Sequence, residues 1–264
     1  MIPIFIMSRG RANKQITVEH LPSEICQDVH IICNHDEGEE YEKHNKLALH
    51  IVPAPPEIDN YSKKMQWCID EIRDKCDGKG IIMDDDLWFD IRRTDAEKLR
   101  KPEHKDELLE MFRMIELLLE DTALVGIHPR QFGHAKPLPY VENGKMVCVH
   151  AINTSLLPDN FPRVDGFPIL SDVRLVAGLL ARGIPNKLIT QYVVDWAPCM
   201  ADGGCSDYRT HEMQREGCEQ LAEMFGPYLK VKIKETKNDG FGGERYDFTC
   251  RWRDLYRNAP LRDL

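Results

Sequence analysis

Three consecutive carboxylates, Asp84, Asp85 and Asp86, close the short apolar run Gly80-Ile81-Ile82-Met83, and no other residues in the chain point so directly to chemistry. A run of this kind bounded by Gly78 and Gly80 predicts a buried strand. Carboxylates without partners cannot stay charged inside a core, so the acids must stand at the strand's mouth. Adjacent carboxylates also raise one another's pKa, a cost that a bound divalent cation removes, and all-oxygen ligands suit magnesium or manganese rather than zinc. The competing reading is a plain acidic turn after a strand.

Other candidates stand at similar junctions. Ser8, Arg9 and Arg11 follow the apolar run Ile2–Met7 and precede a short helical pattern, a strand-turn-helix junction of the kind where open α/β sheets gather ligands. A structural arginine turn is the alternative. Val29–Cys33 ends in Asn34-His35-Asp36-Glu37, where one of the two acids suits a ribose hydroxyl. Asp172, in Leu170-Ser171-Asp172-Val173, precedes a helical segment that Gly183 and Pro185 end. Ser171 or Asp172 fits a helix N-cap worth about 1 kcal/mol. His211 follows the polar, glycine-rich loop Ala201–Arg209, which is able to close over a site, so His211 can add a ligand to a metal and diphosphate. A rival zinc grouping of Cys199, Cys205, His211 and Cys218 matches no common spacing.

The chain of 264 residues is 42% hydrophobic, normal for a globular core, and suffices for one large domain or two small ones. No apolar run reaches membrane-span length and no secretory signal opens the chain. Nine cysteines, an odd number without a Cys-x-x-Cys pair, argue against a disulfide framework and for a reducing cytoplasm. The net charge of −9 excludes a protein that coats nucleic acid non-specifically. Two basic stretches remain, Arg92, Arg93, Lys98, Arg100, Lys101 and Lys105, and then Lys230, Lys232, Lys234, Lys237, Arg245, Arg251, Arg253 and Arg257. Either can be a solvated charged face.

The elements that must position these groups read as strands at Ile2–Met7, Val29–Cys33 and Leu47–Val52, a helix over Tyr61–Cys76, and the acidic strand. Beyond them come a helix over Lys105–Glu120 and a strand at Ala123–Ile127. A loop over His128–Pro139 then precedes a hairpin signal at Asn143-Gly144 and a strand at Met146–Ile152. Helices over Val173–Arg182 and Glu216–Phe225 flank a strand at Ile189–Trp196, and strands at Leu229–Lys234 and Tyr246–Trp252 form a last hairpin. The alternation predicts an α/β fold with a mainly parallel sheet.

With Asp84-Asp85-Asp86 at a central strand's end and Leu170-Ser171-Asp172 ahead of a helix and glycine, the chain resembles a GT-A glycosyltransferase. The opening Ile2-Pro3-Ile4-Phe5-Ile6-Met7-Ser8-Arg9-Gly10-Arg11 is similar to that of the phage TET-associated glycosyltransferases, and Gly203-Gly204-Cys205-Ser206-Asp207-Tyr208-Arg209 is compatible with them. The resemblance implies one GT-A-like domain over residues 1–264, with a mixed, mainly parallel sheet flanked by helices and a C-terminal β-hairpin. Residues 1–122 would form the nucleotide-sugar-binding half and residues 123–264 the acceptor-binding half. It implies Mn²⁺ or Mg²⁺ on an Asp-x-Asp motif at Asp84 and Asp86, with His211 as a further ligand. A UDP-sugar would lie at Ser8, Arg9, Arg11, Asp36, Asp84 and Asp85, and Asp172 would be the base, although Ser171 replaces the first acid of the family's dipeptide. The implied acceptor is a hydroxymethylated pyrimidine, such as 5-hydroxymethylcytosine, in bacteriophage DNA. Transfer to a glycan or protein hydroxyl, a nucleotide-sugar-binding module without chemistry, and a phosphatase with Asp84 as nucleophile are the other readings.

Overall fold

The structure, a computed structural model, describes residues 1–45, 50–93, 98–132, 139–161, 163–197, 202–235 and 243–262. The chain runs β1 (Ile4–Met7), α1 (Ile16–His20), β2 (Val29–Cys33), α2 (Gly38–His44), β3 (His50–Pro53), α3 (Tyr61–Lys75) and β4 (Lys79–Asp84). It continues through β5 (Leu87–Arg92), β6 (Leu99–Arg100), α4 (Leu109–Leu118), β7 (Leu124–Pro129), β8 (Tyr140–Glu142) and β9 (Val149–Asn153). The last elements are α5 (Ser171–Ala181), β10 (Asn186–Trp196), α6 (His211–Phe225), β11 (Leu229–Glu235), β12 (Glu244–Cys250) and α7 (Trp252–Asn258).

One mixed sheet in the order β3-β2-β1-β4-β9-β7-β10-β5-β6 carries the fold, with β8 also on β10, and β11 and β12 form a separate antiparallel pair. The first four strands are mutually parallel, as are β7 and β10. This register aligns the carboxyl ends that matter: Met7 stands opposite both Ile32 and Asp84. Strand β9 runs the other way against β4, so its first residues reach the same end.

Side-chain alternation sends Ile81 and Met83 to a core shared with Phe112 and Ile115 of α4, and Ile82 to a second core with Met65, Ile69 and Ile72 of α3 and Leu175 and Leu179 of α5. Each such buried side chain contributes on the order of 1.5–3 kcal/mol. Gly80 is required by this packing, because a Cβ there would lie 2.6 Å from the Ile72 side chain. Helix α3 starts where Asn60 accepts the Lys63 N–H at 3.1 Å, and its apolar face then presses on β4.

Several expectations are corrected. Strands β5 and β6 follow the acids directly, where only a basic stretch was read; Arg92 is buried with its Nε donating to the Thr190 carbonyl at 2.9 Å. His128 lies buried in β7 rather than in a loop, and residues 133–138 lie outside the described residues. Asn143, with φ of 56°, does turn the chain, but β8 pairs with β10 and not with β9, so no hairpin forms there. The Lys105–Glu120 helix opens as a 3₁₀ turn, α6 begins five residues before Glu216, and Trp252 starts a helix instead of ending a strand. Of the strand expected at Leu47–Val52, only the part from His50 is described.

Candidate active site

The acidic turn between β4 and β5 is held by α1. Thr17 donates its hydroxyl to the Asp84 carbonyl at 2.6 Å and accepts the Leu87 N–H at 3.0 Å, while its own N–H donates to the Asp85 carbonyl at 3.0 Å. A single threonine thereby fixes the turn on both sides of Asp86, and the three acids then face different surroundings.

Asp85 points inward and is 3% exposed. It accepts bonds from Ser8 Oγ and, at 2.6 Å, from the Arg11 guanidinium. Burial raises its pKa, while Arg11 and Ser8 oppose that rise. Asp86 shares the same Arg11 nitrogen at 2.9 Å, and burial, then Asp85, pushes its carboxyl up to about 6. Burial works against the Arg11 charge, but the two carboxylates outweigh it and hold the guanidinium protonated. Arg11 also donates Nε to the Asp202 carbonyl at 2.9 Å, tying the acidic turn to the loop after β10.

Asp84 is placed differently. It lines the open cavity, half-buried, and accepts the Tyr61 hydroxyl at 3.2 Å and the Cys148 thiol. Burial, then the neighbouring Asp86, pushes its pKa well above the carboxylate range. Both partners are neutral donors, since burial drives the Tyr61 and Cys148 pKa values far upward. Neutral hydrogen bonds compensate a charge at Asp84 only weakly, so without a cation its carboxyl is held toward the protonated form.

These groups line one cavity of about 210 Å³ together with Arg9, Asn34, Lys64, Asp172, Trp196, Cys205 and Arg209. Lys64, on the inner face of α3, donates Nζ to the Ser8 carbonyl at 2.7 Å and to Asn34 Oδ1 at 3.1 Å, and burial lowers its pKa. Arg9 stands 3.4 Å from Asp207 and its guanidinium lies 5.2 Å above the Tyr208 ring. The Tyr208 hydroxyl in turn accepts the Tyr61 N–H at 2.9 Å, and the Gly204 N–H donates to the Arg9 carbonyl at 2.9 Å, so the segment from Gly204 to Arg209 is stitched to the turn after β1 and to α3. Gly203, with φ of 83°, packs where a Cβ would meet Arg11 at 2.7 Å.

The sequence-derived candidates divide on this geometry. Ser8, Arg9, Arg11, Asp84, Asp85, Asp86 and Asp172 come together around the cavity. Asp36 is exposed in the turn after β2 and does not line it; Asn34 takes that place. His211 is exposed at the start of α6 and does not line it either. The cap of α5 is Leu170 in the left-handed region, with φ of 63°, so Asp172 is a first-turn residue and not the N-cap, and its side chain is left for the cavity. The N–H groups of Gly10 and Arg11 are engaged by Glu37 at 2.8 Å and Tyr41 at 3.2 Å rather than presented to a ligand. Of the zinc grouping, Cys199 lies outside the described residues, and no set of three metal-ligating side chains occurs among the described ones. Sequence reasoning missed Tyr61, Lys64, Cys148 and Trp196. Only Lys64 left a trace, a lysine next to Met65 and one turn before Cys68 on an otherwise apolar helix face.

A hard divalent cation fits these acids. Asp84 and Asp86 supply carboxylate oxygen from one turn, and magnesium is commonly held by one or two carboxylates with substrate phosphates and water completing the shell. A third side-chain ligand is unnecessary.

No functionally curated protein matches the chain. Among solved structures, mannose-1-phosphate geranyltransferase from Thermus thermophilus superposes with a TM-score of 0.47 at 10% identity, over 73% of this chain and 75% of that one. Residues 1–349 of S. aureus TarS give 0.42 at 12% identity, over 84% of this chain and 66% of that one. The TET-Associated Glycosyltransferase family profile matches residues 2–164, a span that includes β1, α3, the acidic turn and β9 but stops short of Asp172 and the loop after β10. Because that match takes in more than half of the chain and every acid of the turn, the chain belongs to the TET-associated glycosyltransferase family and is a glycosyltransferase.

Proposed function

We propose that the chain moves a sugar from a UDP-sugar to the hydroxymethyl oxygen of a 5-hydroxymethylpyrimidine in DNA, with Mg²⁺ or Mn²⁺ held by Asp84 and Asp86. The observation that carries this reading is Asp84, a half-buried carboxylate in an open cavity whose partners are the neutral Tyr61 and Cys148. When bound, the cation neutralises the charge that develops on the leaving diphosphate.

The chain's own groups have separable roles. Arg9 provides a guanidinium at the cavity rim for phosphate or base, and Ser8 and Arg11 act by locking Asp85 and orienting Asp86. Lys64 and Asn34 line the donor end. Asp172 lines the same cavity and takes the proton of the acceptor hydroxyl as that oxygen bonds the sugar's anomeric carbon and the bond to the diphosphate breaks. This reading divides the chain into a donor half, residues 1–122, and an acceptor half, residues 123–264, with Asp172, Trp196 and Arg209 in the acceptor half. Phage origin and a cytoplasmic setting accompany the DNA acceptor; His211 and Asp36 are not assigned roles.

The test is incubation of the chain with a panel of nucleotide sugars and DNA containing 5-hydroxymethylcytosine or 5-hydroxymethyluracil, followed by nucleoside mass spectrometry. A new glycosylated nucleoside with one UDP-sugar, lost with chelator, is expected. Transfer to a glycan or protein alone would reject the DNA acceptor.

A further inference from the structure

The two basic stretches of the sequence end differently. Arg92 is consumed inside the sheet and Arg100 pairs with Glu107, so the described residues of that stretch present no continuous cationic row. Strand β11 does. It alternates Leu229, Val231 and Ile233 with Lys230, Lys232 and Lys234. Leu229 is buried, and Val231 packs against the core that holds Leu221 and Phe225 of α6 and Phe248 of β12. The lysines therefore occupy the opposite face, and all three are exposed. Across the ladder they meet Thr249, Asp247 and Arg245. Lys232 stands 3.9 Å from Asp247, an exposed contact that holds its ammonium weakly. The acids Glu235 and Glu244 pair with each other on the other face, beyond Ile233 and Tyr246.

The row also has a direction. Arg209 lines the cavity, and α6 begins two residues later. Gln214, in the first turn of α6, donates Nε2 to the Tyr246 carbonyl at 3.0 Å, and Tyr246 pairs with Ile233. Strand β11 starts beside the far end of α6, where the Tyr228 N–H donates to the Phe225 carbonyl at 2.9 Å. The hairpin thus runs back along α6, and Lys234 is the end of the row nearer the start of α6. At about 3.4 Å per residue the three lysines span ~14 Å, a length over which one strand of a duplex carries about four phosphates.

We propose that the outer face of the β11–β12 hairpin is a nucleic-acid track, on which Lys230, Lys232 and Lys234 hold the DNA backbone and guide the acceptor base to the cavity. This inference rests on the reading of DNA as the acceptor. In a chain of net charge −9, such a local row supplies the attraction that the whole surface does not.

The experiment compares the full chain with Lys230→Gln/Lys232→Gln/Lys234→Gln, reading the anisotropy of a labelled duplex that contains 5-hydroxymethylcytosine across a salt series. Removing three phosphate contacts should make the slope of log K against log salt shallower by about 2.7, and the single variant Lys230→Gln by about 0.9. The KM for DNA should rise while UDP binding and the melting temperature hold. If the wild type binds DNA and the triple variant keeps its slope and KM, the track is elsewhere and the DNA reading stands. If the wild type shows no salt-dependent DNA binding, the acceptor reading fails and the track with it. A variant that loses binding to polyglutamate but not to DNA assigns the row to an acidic protein and overturns the proposal.

Discussion

His150 offers a sharp test of how burial sets the electrostatics beneath the site. It lies on β9 with 1% of its surface exposed, its Nε2 has no hydrogen-bond partner among the described residues, and the charge that acts on it is Asp172. Burial disfavours the imidazolium more than the Asp172 carboxylate favours it, and the pKa falls to about 4 from the ordinary 6.5. The unfolded chain therefore takes up this proton more readily than the folded one. The contribution is complete above pH 6.5 and is lost as the pH falls from 6.5 towards 4. Between about pH 7.5 and about pH 5 the loss from this residue alone is about 2 kcal/mol, which for a chain of this size is ~4–8 °C in melting temperature. His150→Leu fills a similar volume without a titrating group, so the melting curve of the variant should fall less on acidification by that amount. Thermal melts of both proteins across this range give the comparison directly. Parallel pH profiles would refute the reasoning, because they would mean that His150 takes up its proton as easily folded as unfolded.

Asp86 should act with the opposite sign: its pKa of about 6 is raised, so its contribution is present below the ordinary carboxylate range and lost as the pH rises through 6, and Asp86→Asn should remove that limb from the melts. Mn²⁺ at about a hundred times its Kd should stabilise the wild type by about 2.7 kcal/mol in thermal-shift assays, and Asp84→Asn should show no such gain. Asp172→Asn should lower turnover by roughly 10²- to 10⁴-fold with unchanged donor binding, and its melting temperature should hold because Asp172 is not the helix cap; near-normal turnover would send the search to another acid, Asp207 first. Arg11→Ala breaks a buried pair with Asp85 and should cost about 3–5 kcal/mol by denaturant melts, whereas Arg9→Ala, at the rim, should raise the donor's KM with little loss of stability.

Much of the positioning frame was legible in the chain itself. A run of four residues, Gly80 to Met83, stopped by three acids reads as a strand ending where the acids meet water, a cation or a counter-charge, because the desolvation of three unpartnered carboxylates exceeds what their burial could return. The junction after Met7 and the strand Val29–Cys33 were readable for the same reason, since hydrophobic runs with polar stops are local signals. Helix α7 and strand β5 were not readable, because Trp252 and the Leu87–Arg92 segment have patterns compatible with either state until a neighbour covers one face.

What only the tertiary structure decided is which acid does what. Asp84, Asp85 and Asp86 are chemically identical and adjacent, so nothing local distinguishes them. The packing of α1 and the β1 turn directs Asp85 to Ser8 and Arg11, lets Asp86 share the guanidinium, and leaves Asp84 to the cavity with Tyr61 and Cys148. The same holds for Asp172, whose freedom from the capping position depends on the left-handed backbone of Leu170, and for Asp36 and His211, which stand outside the cavity that their neighbours in sequence line. Residue type limits the chemistry a side chain can perform. Its charge state and its partners come from the burial and the contacts that distant segments impose, and those exist only once the chain has folded.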